Sequence, residues 1–270
     1  MITFSKLGYY GAIGNQLFQY ATLYSVGKLN GYQVKIPNAE EHFEEGTQRI
    51  QHYFLNCFKN LSAGLLSEKD LVSLKHKAHC GYPALFNPEV LKIPDNTDLE
   101  GYFQSYKYFN IFENDLKRQL TFKNDIKNSV HNKHNIDFSK FSSVHLRCGD
   151  YAHRQEHHPV MNRDYYAKAF DIINSENYLV FSDTMPKAKE IFQQFNNINF
   201  IYMENNHAFE DMYLMSICQN NILANSSFAW WGAWLNKNDN KVVAPSNWLG
   251  PAYNGQWNID DLIPRNWKVV

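Results

Sequence analysis

Arginine is scarce in this chain, at six of the 26 basic residues, and three of the six (Arg147, Arg154 and Arg163) lie close together. If an anion is gripped bidentately, that stretch is the first place to look. The four cysteines, at 57, 80, 148 and 218, are scattered with no CxxC pair. That spacing argues against a disulfide framework and favours reduced thiols. No apolar run approaches the ~18 residues needed to span a bilayer. The first residues have neither the basic leader nor the apolar core of a signal peptide, so a cytoplasmic protein is expected. A formal net charge of -1 leaves no bulk footprint for duplex nucleic acid or an anionic membrane surface. Internal repeats and low-complexity tracts are also missing.

What remains is an ordered globular composition. Hydrophobic residues make up 44% of the 270, aromatic residues 16% and charged residues 20%. That length suits two compact α/β domains better than one core. The opening reads as a strand over 2–7, a glycine loop over 9–14, a helix to about 29 and a strand over 32–36. Asn15 is expected to cap the helix and Asn30-Gly31 to end it. Residues 40–125 mix aromatic-rich segments with helical ones and give no topology. The polar stretch 123–133 is expected to separate domains 1–133 and 134–270, with the last residues packing back on the first domain. Strands are then expected at 143–147, 178–182, 199–203, 221–224 and 241–244. Helices at 162–173, 186–195, 209–218 and 227–235 fill the gaps. Short connections between alternating strands and helices mean a doubly wound parallel sheet, whose ligands sit at the carboxyl ends of the strands.

The residues following those strands are polar. In Val144-His145-Leu146-Arg147-Cys148-Gly149-Asp150-Tyr151, His145 and Arg147 share one face of a strand. The guanidinium is placed there to grip a phosphate, or to close an Arg–Asp loop. Ser182-Asp183 ends another strand and offers side chains to a ribose, or caps the next helix. Asn225-Ser226-Ser227 opens a helix, where orphan N–H groups and the positive helix end favour an anion. Trp230, Trp231 and Trp234 read as core packing. Gly11-X-X-Gly14 is neither GxGxxG nor a P-loop, yet lets backbone approach a ligand closely. The group His153, Glu156, His157 and His158 reads as a polar mobile loop, and no metal site is assigned.

Together these segments resemble the α-1,2-fucosyltransferases of glycosyltransferase family 11. The resemblance rests on six stretches in the family's order. They are Gly11-X-X-Gly14-Asn15-Gln16-Leu17-Phe18-Gln19-Tyr20-Ala21, Gly101-Tyr102-Phe103-Gln104-Ser105-X-Lys107-Tyr108-Phe109 and His145-X-Arg147-X-Gly149-Asp150-Tyr151. The others are Phe181-Ser182-Asp183, Asp211-Met212-Tyr213-Leu214-Met215-Ser216 and Ala224-Asn225-Ser226-Ser227-Phe228-X-Trp230-Trp231. The family implies an α/β, GT-B-like fold of two Rossmann-like domains facing a cleft. It implies inverting transfer of L-fucose from GDP-β-L-fucose to the 2-hydroxyl of a galactose-containing acceptor, with no obligatory metal or other cofactor.

Carried over by position, Arg147 holds the β-phosphate and His145 lies by the nucleotide. Asp211 accepts from guanine, while Ser226, Ser227 and Phe228 line the diphosphate and base. Asn15, with Gln16 beside it, reaches the diphosphate or fucose from the first domain. Ser182, Asp183 and Asn225 complete the expected donor-binding set. Three positions depart from the family pattern: Cys148 stands where a second arginine is frequent, Asn220 where histidine is, and Ala229 where serine is. Asp150 is the expected base, with orientation of Arg147 as its other role. Independently of the resemblance, a cation or helix N-terminus aimed at the departing diphosphate can stabilise its charge. Two readings compete: another GDP-sugar transferase, and a non-catalytic carbohydrate-binding protein.

Overall fold

The computed structural model describes residues 1–38, 57–81 and 85–270. Part of the 40–125 region, whose pattern implies no topology, lies outside the described residues. The chain divides into two compact units, Met1–Lys123 with Asp260–Leu262, and Asn124–Ile259 with Ile263–Val270. The second unit therefore begins at Asn124 and not at 134. Helix Asn124–Lys133 buries Ile126 and Val130. Its last residue, Lys133, donates to the buried Glu210 at 2.6 and 2.8 Å, and Ser129 donates to the same carboxylate at 2.7 Å. A polar surface concealed an i, i+4 apolar pair.

Among the described residues, unit 1 holds a five-stranded parallel sheet ordered β3-β2-β1-β5-β4. The strands are β1 (Ile2–Thr3), β2 (Val34–Ile36), β3 (Gly64–Leu65), β4 (His76–Cys80) and β5 (Thr97–Gly101). The expected first strand is cut short after Thr3, because the Ser5 N–H and hydroxyl both donate to the Asp98 carboxylate, at 2.8 and 2.5 Å. The chain then turns through Leu7 and Tyr9, whose N–H groups return to Phe4 and Lys6. Helix Ile13–Asn30 follows, with Ala12 at its N-cap. Asn15 is thus inside the first turn, which corrects the expectation that it caps the helix. The helix ends at Gly31, in the left-handed region at φ 71°. It buries Gln16, Gln19, Thr22 and Ser25 as well as Leu17, Phe18 and Ala21. A helix covered on several sides shows no clean apolar stripe.

Unit 2 holds a six-stranded parallel sheet ordered β11-β10-β9-β6-β7-β8. Its strands are β6 (Ser142–Leu146), β7 (Asn177–Ser182), β8 (Asn199–Tyr202), β9 (Asn221–Ile222), β10 (Val242–Ala244) and β11 (Lys268–Val269). The first five match the expected strands to within a few residues, and the edge strand β11 is an addition. Between them run helices Arg163–Ile173, Met185–Phe192, Ala208–Ile217 and Ser227–Trp234. The chain leaves β6 in one direction, through β7 and β8, and returns to β9 on the other side of β6. The carboxyl ends of β6 and β9 therefore flank the topological switch point, where open α/β sheets bind ligands. Trp230 and Trp231 are fully buried and Trp234 nearly so, as core residues. Gly232 lets helix Ser227–Trp234 approach Met215, whose side chain would meet any added methyl group. The four thiols are free and buried.

Gly101, at the end of β5, has φ 121°, and a methyl group there would drive into the Cys80 carbonyl. Both the backbone conformation and the space demand glycine. Gly101→Ala is expected to cost at least ~2 kcal/mol, read as a lower urea midpoint with unchanged denaturant dependence.

Candidate functional site

The register of β6 and β7 builds the centre of the site. Leu146 lies opposite Ser182, so the next residues, Arg147 and Asp183, leave the sheet side by side. One carboxylate oxygen of Asp183 takes the Cys148 N–H at 2.9 Å and the other takes the Arg147 guanidinium. Asp150 accepts from the second arm of the same guanidinium. The Thr184 hydroxyl accepts from the Gly149 N–H at 3.1 Å. Gly149 is needed because a side chain there would strike the Asp183 carboxylate. The Tyr151 ring lies 4.9 Å from the Arg147 guanidinium carbon, and the ring of His158 stacks on Tyr151 at 4.6 Å. Tyr151, His158 and Thr184 were not singled out as site residues. The sequence signal for Tyr151 is its place in the Arg147 stretch, and that for His158 its place in the histidine-rich group read as a mobile loop; Thr184 gives none.

Ser182 accepts the Thr184 N–H at 3.0 Å, and Thr184, rather than Ser182 or Asp183, is the N-cap of helix Met185–Phe192. Cys148 belongs to the hydrophobic core that includes Met161 and Tyr166, so this position adds no second guanidinium to Arg147. The other two departures lie away from this centre. Asn220 links Ser142 to Lys241 at the opposite end of the sheet, and Ala229 is fully buried.

His145 is 5% exposed, packs 5.9 Å from the Phe228 ring, and has a buried Nδ1 with no partner among the described residues. Burial, then the charge of Arg147, pushes its pKa down to about 3, so the imidazole is neutral. At the end of β9, Asn225 donates to the carbonyls of Pro159 and Trp248 at 3.0 and 3.1 Å. Its own backbone carbonyl accepts from the Tyr151 hydroxyl at 3.4 Å. Ser226 is the N-cap of helix Ser227–Trp234 without a side-chain capping bond. His145, Arg147, Asp150, Asp183, Asn225, Ser226 and Phe228 thus stand at or just beyond the carboxyl ends of β6, β7 and β9.

The loop 153–158, expected to be mobile, is bonded to its neighbour. Gly250 and Ala252 donate their N–H groups to the carbonyls of His157 and Glu156 at 2.8 and 2.9 Å. Asp211 lies in the first turn of helix Ala208–Ile217 and accepts from Asn206 at 2.9 Å. Asn15 and Gln16 belong to unit 1. Asn15 accepts from Gln104 at 2.6 Å, and the buried Gln16 donates to the Gly11 carbonyl at 3.4 Å.

Burial raises the Asp211 pKa to about 7, with the Asn206 bond opposing and the Glu210 charge adding to the rise. The folded chain therefore holds this proton more tightly than the unfolded chain does. Stability is greatest below the unfolded value near 4 and falls as pH rises toward about 7. Asp211→Asn removes this dependence. Urea melts are expected to show the variant more stable than the parent at pH 8, with the gap closing by pH 4. A gap equal at both pH values would show that the carboxyl is not desolvated.

No helix among the described residues is long and apolar enough to cross a membrane. The sequence profile of glycosyl transferase family 11 matches residues 5–269. The O-antigen biosynthesis glycosyltransferase WbnK of Escherichia coli is 28% identical, covering 94% of this chain and 97% of its own. An alpha-1,2-colitosyltransferase of Escherichia coli is 27% identical, over 96% of each chain. Among solved structures, NodZ alpha-1,6-fucosyltransferase soaked with GDP-fucose aligns with a TM-score of 0.52 at 14% identity. That alignment covers 87% of this chain and 91% of NodZ, and the fold is the GT-B type of these fucosyltransferases. With nearly its whole length matched, and with the parallel sheets that its strand order predicts, the chain is a glycosyltransferase and belongs to glycosyl transferase family 11.

Proposed function

We propose that the chain transfers L-fucose from GDP-β-L-fucose to the 2-hydroxyl of a galactoside, inverting the anomeric centre. The observation that carries this reading is Arg147, a guanidinium held by two carboxylates at the switch point of the unit 2 sheet. Asp150 and Asp183 both pair with its single positive charge. A diphosphate entering beside it competes with Asp150, which is exposed, more easily than with Asp183, which the Cys148 N–H also holds. In the transfer, the acceptor oxygen bonds to the fucose anomeric carbon. The bond from that carbon to the β-phosphate oxygen breaks, and GDP keeps the electron pair. The acceptor proton passes to Asp150, freed from Arg147. Growing charge on the diphosphate is met by Arg147 and by the amino end of helix Ser227–Trp234, with no resident metal required. Asp211 is assigned to guanine, as an ionised acceptor, and the neutral His145 with Phe228 to the nucleotide.

A second reading of the donor is favoured by the similarity to an α-1,2-colitosyltransferase: colitose in place of fucose. The similarity to an O-antigen enzyme supports a surface-glycan acceptor. Both questions are answered by GDP release from a panel of GDP-sugars, against galactosides that differ only in which hydroxyl is free. GDP-fucose and the free 2-hydroxyl are expected to be required. Arg147→Ala is expected to lower that turnover by about a hundredfold, or ~3 kcal/mol, with the fold intact. Near-parental turnover in the purified variant would defeat the assignment, and affinity for galactosides without any for GDP would favour a binding protein.

The two carboxylates are expected to separate in experiment. Asp183→Asn weakens GDP binding by calorimetry, since Arg147 loses its fixed partner. Asp150→Asn leaves GDP affinity equal or tighter, yet lowers turnover by about a hundredfold or more. Unchanged turnover in Asp150→Asn would remove it as the base.

A further inference from the structure

The N–H groups that Arg147 gives to Asp150 and Asp183 lie in the plane of its guanidinium, and those bonds leave the flat faces of the group to be held by something else. The Tyr151 ring holds one of them, with the guanidinium carbon 4.9 Å from its centre. The His158 ring is stacked on Tyr151 at 4.6 Å and 18°, and the Tyr253 ring lies 6.1 Å beyond it. The chain is folded back to make this contact. The Arg154 N–H returns to the Tyr151 carbonyl at 3.0 Å, and the His157 and His158 N–H groups both return to the Arg154 carbonyl, at 2.9 and 2.8 Å. Gly250 then packs against the loop so closely that an added methyl group would strike the Glu156 carbonyl.

The other end of Tyr151 reaches across the switch point. Its hydroxyl donates to the Asn225 carbonyl at 3.4 Å, one residue before Ser226, the N-cap of helix Ser227–Trp234. One side chain therefore touches both the guanidinium and the backbone that leads into the helix. A ring against a guanidinium attracts it without taking any of its N–H donors and without adding negative charge. That contact persists when a donor leaves a carboxylate for an incoming anion, whereas the single remaining bond to Asp183 would act as a hinge. We infer that Tyr151 is a positioning residue: its ring, backed by His158, keeps the Arg147 guanidinium aimed while Asp150 gives way to the diphosphate. The histidine-rich loop is, on this account, the support of the ring.

The inference rests on the reading of Arg147 as the cation that meets the diphosphate. The test uses the full chain, with GDP affinity by calorimetry, kcat and KM for GDP-fucose turnover and the melting temperature as readouts. The hydroxyl bond is long, so Tyr151→Phe, which keeps the ring, is expected to stay within about threefold of the parent in GDP affinity and kcat. Tyr151→Leu removes the ring, and both quantities are expected to fall about tenfold. His158→Ala should move both the same way by a smaller factor, and His158→Phe, which restores a ring, should bring them back. This pair decides the matter if Tyr151→Leu melts too low to assay. In an Arg147→Ala background, Tyr151→Leu and His158→Ala should each cost less than about a further twofold, because the group they act through is gone. Losses that multiply in that background, equal losses in Tyr151→Phe and Tyr151→Leu, or parental values in both Tyr151→Leu and His158→Ala would overturn the positioning role. Parental GDP affinity and turnover in Arg147→Ala would overturn the reading beneath it, and the inference with it.

Discussion

The bond network of Asp183 sets the geometry on which the site in unit 2 depends. Parallel pairing of β6 and β7 brings Arg147 and Asp183 out of the sheet as neighbours, but it leaves a long, flexible side chain to be aimed. One carboxylate does both jobs: it fixes the backbone at Cys148 and the guanidinium at Arg147. Gly149 has no side chain because that carboxylate occupies the space, and Thr184 closes the turn behind it. Each residue of the Arg147-Cys148-Gly149-Asp150 turn thus has a role defined by Asp183 or by Arg147 itself. With the Cys148 side chain committed to the core, a single guanidinium carries the positive charge of this turn. Its aim matters more than it would in a pair.

Burial shifts two ionisable groups of unit 2 toward their neutral forms. His145 is kept neutral by burial and by the neighbouring charge of Arg147, so it adds no competing cation and no cost of burying one. Asp211 is raised to about 7 by burial, which leaves it poised between two states near neutral pH. Two unit charges 4 Å apart at a surface-like effective dielectric interact by about 4 kcal/mol. An unpartnered, ionised carboxylate at the strand ends would therefore oppose any anion brought beside it on that scale. Pairing with the one guanidinium leaves neither Asp150 nor Asp183 unpartnered.

The alternation of strands and helices in unit 2 was legible because parallel strands buried on both faces read as short apolar runs, such as Tyr178-Leu179-Val180-Phe181, divided by short polar connections. Their order, and with it the switch point, follows from pairings distant in sequence that no local pattern encodes. The edge strand Lys268–Val269 is hidden for the same reason. Of the last residues, expected to pack back on the first domain, Asp260–Leu262 joins unit 1 while Ile263–Val270 stays with unit 2. Asn15 shows a sharper limit. Asparagine after glycine is a good cap by propensity, but here Ala12 starts the helix with no side-chain bond, and Asn15 is used by Gln104 instead. The histidine-rich loop looked free because its side chains are polar. What holds it is backbone bonding to Gly250 and Ala252, stacking of His158 on Tyr151 and an edge-on contact of His157 with Tyr253, none of which leaves a periodic trace.

The motif residues consequently divide by what their polar atoms touch, a division composition cannot make. Asn225 stands in the most suggestive run of the chain, at the entrance to a helix, and a ligand role is the natural first reading. Yet both hydrogens of its amide are spent on the carbonyls of Pro159 and Trp248, fastening two loops to the end of β9. Its remaining oxygen is buried with no partner among the described residues. An unsatisfied buried acceptor costs on the order of 1–3 kcal/mol, and a molecule with a hydroxyl or N–H donor at that spot would recover part of this. Asn225 therefore belongs to the frame through its nitrogen and is available to the site only through its oxygen. Arg147, with a guanidinium shared between two carboxylates, offers the opposite case: fixed by one partner and exchangeable at the other. A sequence motif names both residues alike, and only the count of satisfied donors and acceptors tells a fastening from a contact.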